Sequence, residues 1–69
     1  MDILEGFGKR VRERRLKMGL SQEKFAGKCK LDRTYISGIE RGKRNLSLRN
    51  IKILADALHT TISELTKGL

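Results

Sequence analysis

One cysteine, one histidine and eight acidic residues leave this 69-residue chain few means of catalysis. Cys29 has no partner for an internal disulfide, and no Cys/His cluster is spaced to hold zinc, which is the pattern of an ordinary reduced intracellular protein. A lone thiol inside an apolar pattern reads as a small core hydrophobe. No acidic pair frames a cleft, so neither an enzyme nor a cofactor is expected. His59 follows the end of a helical pattern, where it would meet free carbonyls or solvent rather than a metal or substrate.

Long apolar runs are missing too. No stretch would span a membrane, and the start of the chain, with Asp2 and Glu5, lacks the basic and apolar regions of a signal peptide. Aromatics are scarce, and no segment pairs a basic face with bulky rings, so a membrane surface is not the expected partner. What the chain has is positive charge: 16 Lys and Arg against 8 Asp and Glu, a formal +8. Nucleic acid is the expected partner, inside the cell.

Nowhere do apolar and polar residues alternate over a strand-length run, whereas spacings of three and four recur, so the chain reads as all-α, one domain over 1–69 with five helices. Ile3, Leu4, Phe7 and Val11 make the stripe of a first helix ending at Lys17 or Met18, with Gly19 as a left-handed cap. Ser21 caps a second helix that turns Phe25, Ala26 and Cys29 inward. Asp32, expected to accept backbone N–H bonds, caps a third from Arg33 to Arg41, stopped by Gly42. Ser47 opens a fourth, with Leu48, Ile51, Leu54, Ala55 and Leu58 on one face. Thr61 and Glu64 fit a capping box for a short fifth. Such a domain buries only about 60% of the surface its unfolded chain exposes, so dimerisation would help it.

The segment from Ser21 to Arg41, two short amphipathic helices around a tight turn, has the layout of a helix-turn-helix. In its second helix Ile36 and Ile39 define the buried face while Thr34, Ser37, Gly38 and Arg41 lie opposite, flanked by Arg33 and Tyr35. A helix entering the major groove end-first offers Arg33, Thr34 and Ser37 to base edges, and Tyr35 to a base or a phosphate. Arg33 is the first choice for direct readout, because a guanidinium grips guanine O6 and N7 with two bonds. Gly38 marks either a close approach of backbone to something, DNA included, or a neutral exposed position. Gln22 at a helix N-terminus, and the basic turn Arg41, Lys43, Arg44 and Asn45, would meet phosphates. Arg15 falls four residues after Val11 on an apolar face and needs a partner; Glu40, four after Ile36, would supply it.

The elements G-L-S-Q-E-K-F-A at 19–26, L-D-R-T-Y-I-S-G-I-E-R-G at 31–42, L-S-L-R-N-I at 46–51 and L-A-D-A-L at 54–58 resemble the lambda-repressor-like, Cro/C1-type (XRE) helix-turn-helix family, from about Lys9 to Leu65. Within it, residues 32–48 on so short a chain look most like the controller proteins of restriction-modification systems. The resemblance implies a homodimeric transcription regulator on paired operator sites, activating at low level and repressing its own and the endonuclease promoter at high level. RNA polymerase would be a partner when it activates. By matching positions, Arg33, Thr34, Tyr35 and Ser37 would read bases or the groove, while Gln22, Arg15, Arg44 and Asn45 would contact phosphates. The same match pairs Arg15 with Glu40. Two departures stand out: Lys30 replaces a frequent turn glycine, implying backbone strain, and Lys24 replaces a glutamate that would complete the Ser21 capping box.

A single reading head makes too few base contacts, so two are expected on a pseudo-palindrome. Ile53 and Ala57 were placed by helical geometry away from the Leu54/Leu58 face, and Ile62, Leu65 and Leu69 form a C-terminal apolar stripe. These residues are seam candidates, with plain core packing the alternative for Ile62 and Leu65. Two other readings stay open: a phage-type repressor or antitoxin-like autoregulator of the same fold, and a nucleic-acid or protein-interaction module without sequence preference.

Overall fold

The computed structural model describes residues 2–69. Five helices follow one another: α1 (Ile3–Lys17), α2 (Gln22–Cys29), α3 (Arg33–Glu40), α4 (Leu48–Ala57) and α5 (Ile62–Thr66). Among the described residues there is no strand. Capping residues mark most of the boundaries. Ser21, Ser47 and Thr61 each accept a bond from the amide three residues on, that of Lys24, Asn50 and Glu64, at 3.0–3.1 Å. Gly19 and Gly42 sit at φ 71° and 72°, ending α1 and the turn after α3 as their sequence positions imply.

Two expected caps are only half made. Asp32 stands at the N-cap of α3 with extended backbone, but its side chain makes no capping bond. At Thr61 only the threonine half of the box is present. The end of α3 also comes one residue early, because Arg41 already leaves helical geometry as the C-cap.

Phe7, Val11, Phe25, Ile36, Ile39, Leu54 and Leu65 form the centre of one core to which every helix contributes. Cys29 joins it as a free thiol, and burial pushes its pKa up to about 11. Helix α3 packs against both α1 and α2, while α4 and α5 close the other side. The α1–α3 crossing is close enough that a Cβ on Gly8 would run into the carbonyl oxygens of Ile39 and Glu40. Three stripe residues fall outside the core, contrary to the helical-wheel expectation: Leu4 is half-buried, Ile3 60% exposed and Leu48 72%. All lie in the first turn of their helices.

Two non-glycine residues adopt left-handed backbone, Lys30 at φ 57° after α2 and His59 at φ 55° after α4. Lys30 therefore carries the strain that its replacement of glycine implied. His59 Nε2 lies 3.0 Å from Lys28 Nζ, which links the ends of those two helices at the surface.

Candidate nucleic-acid interface

A charged pair inside the protein underlies the exposed start of α3. Arg15 is 6% exposed, and its Nε and Nη2 donate to the two carboxylate oxygens of Glu40 at 2.7 and 2.9 Å. Its Nη1 donates to the Leu20 carbonyl at 2.7 Å. Hydrogen bonding to the Glu40 carboxylate, above all, raises the guanidinium's hold on its proton, with burial opposing. All three guanidinium nitrogens are thus occupied inside the fold. The expected contact of Arg15 with a phosphate is not supported by this placement: its side chain points into the α1–α3 junction, away from solvent.

Glu40 has a third partner. Gln22 Nε2 donates to its Oε1 at 3.1 Å, and Gln22 Oε1 in turn accepts from Arg33 Nη1 at 3.4 Å. A relay thus runs from the interior through the first residue of α2 to the first residue of α3. The helix-turn-helix angle is fixed at its base, and Arg33 is held loosely at the tip while its remaining N–H donors stay free. Thr34 beside it is exposed, Ser37 half-buried.

Tyr35 is held from two sides. Its hydroxyl accepts a bond from Asn50 Nδ2 at 2.9 Å, and the Arg44 guanidinium lies over its ring, 5.5 Å from the centroid. Arg44 reaches that position across Gly38, where a Cβ would come within 2.9 Å of its Cγ and 3.1 Å of its Nε. Gly38 is consequently buried, not on the free face where the helical wheel put it. The close approach that a mid-helix glycine suggested is made by Arg44 of the protein itself. Arg41, Lys43 and Asn45 are exposed next to it, with Arg41 Nε 3.4 Å from the Ser37 carbonyl.

Sequence reasoning passed over Asn50. The signal was available: Asn50 precedes Leu54 by four residues, and a polar group on the inward face of α4 needs a partner just as Arg15 does. Among the expected seam residues the structure separates two groups. Leu65, at 0% exposure, follows the core-packing alternative, and Ala57 also belongs to the core instead of facing outward as expected, because α4 and α5 close over them. Ile53 and Ile62 are partly buried at its edge and Leu69 is exposed.

No catalytic or metal-binding arrangement accompanies this surface: among the described residues no three His, Cys, Asp or Glu side chains gather as a metal site, and no helix is long and apolar enough to cross a membrane.

A helix-turn-helix family model matches residues 11–65. Control protein C.MunI from Mycoplasma sp. is 49% identical over 65 residues, covering 93% of this chain and 88% of the relative. The crystal structure of the restriction-modification controller protein C.AhdI from Aeromonas hydrophila superposes with a TM-score of 0.86 at 53% identity, over 90% of this chain and 94% of that one. The controller C.Esp1396I, solved as a tetramer with its natural 35 base-pair operator, matches with a TM-score of 0.85 at 35% identity, over 94% of this chain and 86% of that one. A chain so similar to these proteins is a DNA-binding regulator and not an enzyme: it belongs to the helix-turn-helix family and, within it, resembles the control proteins of restriction-modification systems.

Proposed function

We propose that the protein is a sequence-specific transcription regulator that binds a pseudo-palindromic operator as a homodimer, in the setting of a restriction-modification system. The observation that carries this reading is the exposed start of α3, where Arg33 and Thr34 are free to meet base edges while Gln22 and Glu40 brace them from behind. Arg33, Thr34, Tyr35 and Ser37 read the groove. Gln22, Arg41, Lys43, Arg44 and Asn45 hold the sugar-phosphate backbone.

The protein measures 27 × 22 × 22 Å, a size compatible with two copies side by side on half-sites about 34 Å apart, one DNA turn. The seam is assigned to the apolar surface that the fold leaves open: Leu48, Ile53 and Ile62 on α4 and α5, with Leu69. An apolar groove of about 190 Å³, lined by Ile3, Leu4, Leu46, Ile51 and Leu69 among others, extends that surface. By analogy with the operator-bound tetramer of C.Esp1396I, two dimers on adjacent sites would let one promoter be activated at low protein level, through RNA polymerase, and repressed at high level.

The test is selection of bound duplexes from a random pool at near-physiological salt. A two-fold symmetric motif is expected, and Arg33→Ala should lower discrimination at one position per half-site by about 1–3 kcal/mol. Binding without any enriched motif would replace this reading with a charge-driven nucleic-acid module. Ile53→Asp and Leu48→Asp should each shift the protein toward monomer in sedimentation at micromolar concentration. If both variants stay dimeric, the seam lies elsewhere.

A further inference from the structure

The bond between Asn50 and Tyr35 does more than hold a ring in place. A phenolic hydroxyl carries one proton and accepts through its oxygen. Asn50 Nδ2 occupies the accepting side at 2.9 Å, which leaves the O–H as the free capacity of the group. The backbone of Asn50 is anchored, because its amide donates to Ser47 Oγ at 3.1 Å in the first turn of α4. The Arg44 guanidinium covers one face of the ring, and Gly38 gives it room to do so. Position and proton direction of Tyr35 are therefore both set from outside α3.

We infer that Asn50 is a specificity-determining positioning residue, which presents the Tyr35 hydroxyl to DNA as a hydrogen-bond donor. The matching group on the duplex is an acceptor: purine N7, guanine O6 or thymine O4 at a base edge, or a phosphate oxygen. Amino groups of adenine and cytosine are disfavoured opposite this hydroxyl. The inference rests on the operator-binding reading of α3 and adds to it a residue that need not touch DNA.

Asn50→Asp tests it, because a carboxylate only accepts and would turn the Tyr35 proton inward, presenting the oxygen to the duplex. The added negative charge weakens DNA binding by itself, so the same substitution is made in a Tyr35→Phe background. The selected duplex should lose about three- to tenfold more affinity from Asn50→Asp with Tyr35 present than in that background. An excess loss confined to one base-pair position per half-site identifies a base edge as the acceptor; an excess loss common to all sequences identifies a phosphate. Both support the inference. Equal losses in the two backgrounds overturn it.

Asn50→Ala provides a check that adds no charge. The hydroxyl is then free to donate or accept, so repeated selection should show relaxed preference at the same position while the melting temperature stays within a few degrees. Unchanged selectivity in Asn50→Ala would also overturn the inference. A parent protein that enriches no motif would instead remove the operator-binding reading, and this inference with it.

Discussion

Replacing Glu40 with glutamine keeps the side chain's volume and removes its charge. In the native protein that carboxylate accepts from Arg15 at 2.7 and 2.9 Å and from Gln22 at 3.1 Å. The amide offers one acceptor and sets its NH2 against the guanidinium, donor facing donor. The Arg15 charge then stays buried with no counter-charge, its close acceptors being the Leu20 carbonyl and the single amide oxygen. Two charge-assisted bonds at about 1.5–3 kcal/mol each give roughly 3–6 kcal/mol, in line with the roughly 3–5 kcal/mol typical of a buried pair that loses one member. A domain of this size has a total stability of about 3–10 kcal/mol, so Glu40→Gln should be marginal at room temperature.

Circular dichroism during heating and urea titration provides the measurement. At about 4–8 °C per kcal/mol, the melting temperature should fall by roughly 12–48 °C. The double change Arg15→Met with Glu40→Leu should recover most of the loss, since no unpaired charge remains. A loss below about 1 kcal/mol, the range of a surface pair, would refute the argument, because it would mean that water solvates Arg15 in the folded state.

Gly38→Ala should separate stability from binding: a helical alanine gains up to about 1 kcal/mol in folding, whereas the Arg44 side chain must leave its place, so DNA affinity should drop in fluorescence anisotropy while the melting point holds or rises. Lys30→Gly should stabilise by up to about 1 kcal/mol in urea unfolding, because the left-handed residue costs about 1–2 kcal/mol and the glycine's extra unfolded-state freedom offsets part of the relief. Cys29 is held protonated by burial, with its pKa raised from 9.0 to about 11, so its contribution to stability is full below about pH 9 and is lost as pH rises through 11. The stability difference between the native protein and Cys29→Ala should shrink across that window, and the folded thiol should react slowly with iodoacetamide at pH 8.

How far the sequence carried the reading differs from residue to residue. Ser21, Ser47 and Thr61 were legible as caps because a hydroxyl before an apolar period acts locally, within three residues. Arg15 and Glu40 were legible because each put a charge on an apolar face, and the two mismatches solved each other. Gly38 and Ala57 were misplaced by a wheel that treats each helix alone: what covers them comes from Arg44, or from α4 and α5 closing together. Leu48 and Ile3 show the opposite failure, apolar residues of a helix's first turn that the core leaves exposed. Asn50 was missed for want of attention to a polar residue on an inward face, and Arg15 was given a DNA contact that its burial does not support.

The relay from Arg15 through Glu40 and Gln22 to Arg33 ends on side chains that the core does not need. Arg33 and Thr34 are exposed and contribute nothing to the buried cluster, so they are free to be exchanged without penalty to folding. Everything that aims them sits one layer back. On the proposed reading of α3, a lineage of such proteins would drift toward different target sequences by changing the tips alone, and two copies in one cell would stay insulated from each other's promoters while sharing an almost identical frame.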